Sequence, residues 1–158
     1  MRASGRVDWM VVRFALGSDH AGLHLKDRFG RHLIAIGHEV IDLGTHSEEA
    51  VDYPEYGAAV GRAVVAGEAD VGVCVCGTGF GIAIAANKIR GVRAAVVHDV
   101  TSARLAREHN DANVVCFGAR LIGPVVATDA LDAFLASSFE GGRHIARIRE
   151  ITQLEESP

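Results

Sequence analysis

The chain has little of what a disulfide scaffold, a membrane span or a nucleic-acid surface requires. Of its 158 residues only three are cysteines, Cys74, Cys76 and Cys116. The odd count and the lack of a C-x-x-C pair exclude a disulfide framework and point to free thiols in a reducing, cytoplasmic setting. No apolar run approaches the roughly 20 residues that cross a bilayer, so no membrane partner is expected. Residues 1–10 carry Arg2 and Arg6 but no apolar block before Val11, so they do not read as a secretory signal. They read as a disordered N-terminal extension, with Met10 an alternative start. Nine aromatics, a formal net charge of −4 and no long basic run argue against nucleic acid as a partner. Internal repeats, low-complexity tracts and linkers are missing too. What is left is one domain over residues 11–158, of ordinary globular composition at 49% hydrophobic and 23% charged.

What the chain does have is a repeated βα pattern. Strand-like apolar runs recur at residues 11–16, 39–43, 70–75, 92–97 and 113–117, each followed by a glycine-rich or polar loop and a helical period. In the first helix Leu25, Phe29, Leu33 and Ile36 share a face; in the second Tyr56, Ala59, Val60, Ala63 and Val64 do. Short Val/Ala/Leu strands between amphipathic helices predict a three-layer α/β/α fold around a parallel sheet buried on both sides. After Glu140-Gly141-Gly142 the chain reads as a charged terminal helix, a helical arm from about residue 143.

Ligands of open α/β sheets collect outside the carboxyl ends of the strands. There the chain puts Ser18, Asp19 and His20 after the first strand, Asp52 and Tyr53 after the second, and Cys76 and Thr78 after the third. His98 and Asp99 follow the fourth, and Arg120 the fifth. Cys76 stands between a strand and a helix, where backbone N–H groups and the helix dipole favour a thiolate, so it is a candidate base or nucleophile. Cys74 and Cys116, inside apolar strands, read as core. The run Gly77-Thr78-Gly79-Phe80-Gly81 is neither the G-x-G-x-x-G fingerprint nor a Walker loop. Its N–H groups suit a phosphate or an oxyanion, although such glycines also serve tight strand-to-helix packing. His20 beside Asp19 is a candidate substrate contact. Its spacing to His24 permits a metal pair, but no third ligand is near in sequence, so no metal is expected. His32, His38 and His46 read as surface residues, and His98 as either a sugar contact or a loop residue at a helix start. Arg143 and Arg147, four apart, can grip one phosphate or simply form a solvated face. His109-Asn110-Asp111 ends the fourth helix, at the opposite edge of the sheet from Cys76 if that helix runs antiparallel to the strands.

Six segments, Gly17-Ser18-Asp19-His20-Ala21-Gly22, Asp52-Tyr53-Pro54, Cys76-Gly77-Thr78-Gly79, Ala85-Ala86-Asn87-Lys88, Arg107-Glu108-His109-Asn110-Asp111 and Gly141-Gly142-Arg143-His144, closely resemble the ribose-5-phosphate isomerase B family in order and spacing. The resemblance covers residues 11 to about 154. It implies a Rossmann-like five-stranded parallel sheet of order 2-1-3-5-4, with sites between the subunits of a homodimer or homotetramer. It also implies interconversion of ribose 5-phosphate and ribulose 5-phosphate through a cis-enediolate, with allose 6-phosphate or galactose 6-phosphate as rival substrates. The rival from another class is a non-catalytic sugar-phosphate-binding protein. Ile82 stands where the other branch of the family carries a glutamate base, which puts this chain in the cysteine branch. By the same resemblance Cys76 is the base, and His109 and Thr78 assist ring opening. Asp19, Tyr53 and Asn110 bind sugar oxygens, and Gly77, Gly79 and Gly81 face the enediolate oxygen. His20, Arg120, Arg143 and Arg147 clamp the phosphate. Such a reaction needs an acid, a base and an oxyanion site, so no cofactor is expected.

Overall fold

The computed structural model describes residues 10–156. Except for Met10, the expected N-terminal extension lies outside the described residues. Strands β1 (Arg13–Ser18), β2 (Glu39–Asp42), β3 (Val71–Cys76), β4 (Ala94–Val96) and β5 (Val114–Gly118) alternate with helices α1 (Leu23–Ala35), α2 (Tyr53–Val65), α3 (Phe80–Ala86), α4 (Val100–Asn110) and α5 (Pro124–Leu135). A sixth helix, α6 (His144–Leu154), closes the chain. All strand pairs are parallel, in the order β2-β1-β3-β5-β4, the order the resemblance implies.

Alternation along the three central strands divides the core. Phe14, Leu16, Val73, Val75, Val115 and Phe117 pack on one face against Phe29 and Leu33 of α1, Ala103 of α4 and Leu131 and Phe134 of α5. Ala15, Cys74, Cys76, Val114 and Cys116 point to the other face, where Val60 and Ala63 of α2 and Ile82, Ala83 and Ala86 of α3 cover them. Burying each such Val, Leu or Phe contributes about 1.5–3 kcal/mol. The period of two therefore places all three cysteines on the same side of the sheet.

Three sequence expectations shift. First, β1 and β3 begin and end later than their apolar runs suggest. Asp70 fixes the start of β1 by accepting from the Arg13 backbone N–H at 2.9 Å and from its guanidinium. At the other end Ser18 and Cys76 are the last strand residues, not loop residues. Second, Ile36 leaves the buried face: α1 ends at Ala35, Gly37 turns the chain at φ 96°, and the His38 N–H returns to the Leu33 carbonyl, so Ile36 is exposed. Third, only His46 is a surface residue as expected. His32 bonds to Asp132 at 2.6 Å, and His38 packs against the Phe14 ring while its Nδ1 accepts from Val12; both are half-buried.

Lys26, which sequence reading passed over, is fully buried on α1. Its ammonium donates to both oxygens of Asp42 at 2.6 and 2.7 Å and lies 3.1 Å from Asp27. Asp42 in turn accepts from the Gly44 N–H, and Gly44 and Thr45 bond on either side of Ser18. A half-buried ion pair thus ties α1 to the end of β2, and the backbone bonds to Ser18 tie the loop after β2 to the carboxyl end of β1.

Candidate active site

At the carboxyl edge the loops after β1, β2, β3 and β5 are linked by contacts on one another. The Asp19 N–H donates to the Val75 carbonyl, while Asp19 Oδ1 accepts from Gly22 and caps the short turn of residues His20–Gly22. His20 Nδ1 accepts from the Val51 N–H at 3.2 Å, joining the β1 loop to the segment ahead of α2. His24 instead pairs with Glu48 at 2.7 Å, so the two imidazoles serve different partners.

Cys76 is buried, with its Sγ accepting from the Gly79 N–H at 3.1 Å. That geometry requires Gly79, which has φ 81° and lies so close to the end of β5 that a Cβ would sit 2.9 Å from the Phe117 carbonyl carbon. The loop after β5 is bonded to this turn: Ala119 donates to the Cys76 carbonyl and Arg120 to the Gly77 carbonyl, and the Arg120 guanidinium lies over Gly77. Thr78 is exposed beside Cys76, and its Oγ1 accepts from Phe80. Gly81 has a different constraint, because the Tyr53 ring lies on it and a Cβ would come within 2.4 Å of Tyr53 Cζ. His98 is exposed with its ring edge-on to Phe80; the cap of α4 is Asp99, which accepts from Ser102, not His98. Beneath Cys76, Cys74 and Cys116 are register partners and fully buried. The hydrogen bond with Cys74, then burial, pushes the Cys116 thiol well above its ordinary value and leaves it protonated. Asp19, His20, Tyr53, Cys76, Gly77, Thr78, Gly79, Gly81, His98 and Arg120 therefore all stand at one edge.

His109, Asn110, Arg143 and Arg147 do not join them. Helix α4 starts at the carboxyl end of β4 and returns to the amino end of β5, carrying His109 and Asn110 to the far edge. Asp111, in the left-handed region at φ 46°, ends the helix and is held by Arg93 at 3.1 Å and by Arg107. There the His109 ring stacks on His144, with centroids 4.4 Å apart and planes 16° from parallel. The Glu140 N–H donates to the Glu108 carbonyl, which docks the start of the arm against α4, and Arg143 and Arg147 follow on the exposed side of α6. Asn110 borders a cavity of about 250 Å³ with Asn87, Arg93 and Ile151. One chain thus carries two sets of functional side chains at opposite edges of its sheet. Sequence reading missed the pairing of His109 with His144 and Glu140; the spacing of Glu140 and His144, four apart, was its one visible trace.

A parallel sheet with polar loops gathered outside its strand ends around a buried thiol defines an α/β protein built to hold a small polar ligand. The family model described as Ribose/Galactose Isomerase matches residues 14–151, and the chain belongs to that family. It is 49% identical to ribose-5-phosphate isomerase B of Escherichia coli K12 over 146 residues, 92% of this chain and 98% of that one. Among solved structures it is similar to Clostridium thermocellum ribose-5-phosphate isomerase B, with TM-score 0.90, 48% identity and coverage of 91% and 97%. The Mycoplasma genitalium enzyme with bound ribulose 5-phosphate gives TM-score 0.88 and 39% identity, covering 92% and 97%.

Proposed function

We propose that the protein interconverts D-ribose 5-phosphate and D-ribulose 5-phosphate. The observation that carries this reading is Cys76, a thiol at the end of the central strand that receives the Gly79 N–H, at the sheet edge that also carries Thr78, Tyr53 and Asp19. The names of the relatives, and the ribulose 5-phosphate held by the Mycoplasma structure, support the substrate.

In this mechanism the furanose opens first: His109 and Thr78 pass the proton that the ring oxygen takes up and the C1 hydroxyl gives up. The Cys76 thiolate then removes the C2 proton of the open aldehyde, and the electron pair moves into a cis-enediolate whose negative charge rests on O1. Gly77 and Gly81 serve that oxygen, whereas the Gly79 N–H, expected to serve it as well, is engaged by the Cys76 sulfur and steadies it while it is negative. Return of the proton from Cys76 to C1, with transfer of the O2 proton to O1, gives the ketose and leaves Cys76 as the thiolate it was at the start. An acid, a base and oxyanion donors suffice for this proton-transfer route, which uses neither hydride carrier nor metal. Asp19, Tyr53, His98 and Asn110 hold sugar oxygens, and His20, Arg120, Arg143 and Arg147 hold the phosphate by charge-assisted bonds.

Because the two sets of residues stand at opposite edges, the site is completed by a second copy of the chain. One protomer supplies Cys76, Thr78, Asp19, Tyr53, His20 and Arg120; its partner supplies His109, Asn110, Arg143 and Arg147. The assembly is a homodimer or a homotetramer built from such dimers. Among the described residues no helix is long and apolar enough to cross a membrane, and the three cysteines are free, which supports work in the cytoplasm. Residues 11–158 form the isomerase domain.

The test is turnover of ribose 5-phosphate by the pure protein, followed as ribulose 5-phosphate, with Cys76→Ala as control. The parent turns over and the variant does not, and chelator leaves the rate intact. No turnover by the parent makes the protein a sugar-phosphate binder. Faster turnover of allose 6-phosphate or galactose 6-phosphate makes it a six-carbon isomerase.

A further inference from the structure

Away from the thiol, one cluster of metal-ligating side chains stands out among the described residues. His109 from the last turn of α4, Glu140 from the loop after α5 and His144 from the first turn of α6 bring three potential ligand atoms within 4.8 Å of one another. Glu140 Oε2 lies 3.6 Å from His144 Nε2 and 3.9 Å from His109 Nε2. Ligand atoms about 2.0–2.1 Å from a tetrahedral ion are roughly 3.4 Å apart, so both distances to the carboxylate need to close by only about half an ångström or less.

A second observation is independent of the spacing. His144 is 5% exposed, and its Nε2 is buried with no hydrogen-bond partner among the described residues. At 3.6 Å the Glu140 carboxylate is too far to hydrogen-bond it. Buried polar nitrogens are nearly always satisfied, and this one lies near a carboxylate on a ring stacked against a second imidazole.

We propose that His109, Glu140 and His144 form a binding site for a divalent ion of the zinc class, with water in the fourth position. Two imidazoles and a carboxylate suit Zn²⁺ or Co²⁺ better than Mg²⁺ or Ca²⁺. Stacked rings direct their lone pairs nearly parallel, so one ring has to turn for both to reach a single ion. His109 is the ring with room to do so: it is half-buried on the last helical turn, while His144 is enclosed. Glu140 is exposed and precedes Gly141 and Gly142, both at positive φ, which lets the carboxylate approach. The positive charges of Arg143 and Arg147 oppose a dication, so the site is weaker than a closed structural zinc site. Since the ion occupies the His109 nitrogen, binding inhibits the isomerase. That second half rests on the role given to His109 above; the binding itself does not.

The experiment uses the full chain stripped with chelator and titrated with Co²⁺ at pH 7.5 by visible absorption, with Zn²⁺ titrated calorimetrically. The expected result is one ion per chain, cobalt d–d bands without thiolate-to-cobalt charge transfer, and affinity weakened by roughly tenfold or more in both His144→Gln and the exposed Glu140→Gln. Zn²⁺ inhibits turnover reversibly, and Glu140→Gln needs about tenfold more for half-inhibition. Thiolate charge transfer, no saturable binding, or unchanged affinity in Glu140→Gln overturns the site. Binding that depends on Glu140 yet leaves turnover untouched supports the site and overturns the inhibition, and with it the role of His109.

Discussion

Replacing Gly81 by alanine separates the part of the turn that shapes the fold from the part that positions Tyr53. A Cβ at Gly81 would lie 2.4 to 2.9 Å from the Tyr53 ring carbons. Carbon atoms at rest stand about 3.5–4.0 Å apart, so the ring has to retreat by roughly 1 Å. It can, because Tyr53 is 40% exposed and stands at the start of α2. Alanine within α3 also gains up to about 1 kcal/mol of helix propensity, so folding stability stays within about 1 kcal/mol of the parent. A positioning group displaced by about 1 Å costs up to 100-fold in rate, and kcat/KM for ribose 5-phosphate is expected to fall roughly 10- to 100-fold, about 1.4–2.8 kcal/mol. The assay is steady-state kinetics beside thermal melting for Gly81→Ala, Tyr53→Ala and the double variant. If the alanine acts through the ring, the double variant is no slower than Tyr53→Ala alone. Parental kcat/KM in Gly81→Ala, or effects that multiply in the double variant, refute the reasoning.

Two further predictions concern stability. Asp42→Asn leaves the buried Lys26 ammonium with only Asp27 beside it; breaking a fully buried pair costs 3–5 kcal/mol, and because Asp42 is partly exposed about 2 kcal/mol is expected by urea denaturation at fixed protein concentration. Lys26→Met removes the charge together with its desolvation and costs less; a larger loss in Lys26→Met than in Asp42→Asn contradicts this account. The Arg13 guanidinium holds the Asp70 carboxyl below its ordinary value, so the folded state binds fewer protons there than the unfolded chain. That contribution is present in full above the unfolded pKa of about 3.9 and is lost as pH falls through the lower folded value. The stability gap between the parent and Asp70→Asn, within about 1 kcal/mol for so exposed a pair, is expected at pH 6 and to shrink steadily on acidification below pH 4, as measured by urea midpoints.

Much of this was legible in the residues because the central strands are continuous apolar runs, and such runs suit only a sheet covered on both faces. Their ends were not, since the start of β1 is set by Asp70, far along the chain, and the end by loop bonds to Ser18. Lys26 stayed invisible because its charge is answered by Asp42, which only the packing of α1 on β2 brings near. At the site, Cys76 and its glycines could be singled out because a strand, a turn and a helix are contiguous there. The constraint on Gly81 could not, as it comes from Tyr53 on another loop. The stack of His109 on His144 depends on α6 folding back over α4, which no local pattern encodes.

The separation of Cys76 from His109 within one chain leads to the most direct measurement. Cys76→Ala and His109→Asn, each inactive alone, are unfolded together and refolded in equal amounts. In a dimer with sites between subunits, about half of the molecules are mixed and one of their two sites has both residues intact, so about a quarter of the parental activity returns. No recovery, with mixed dimers demonstrated by mass spectrometry, means that each site is built within a single chain and contradicts the account.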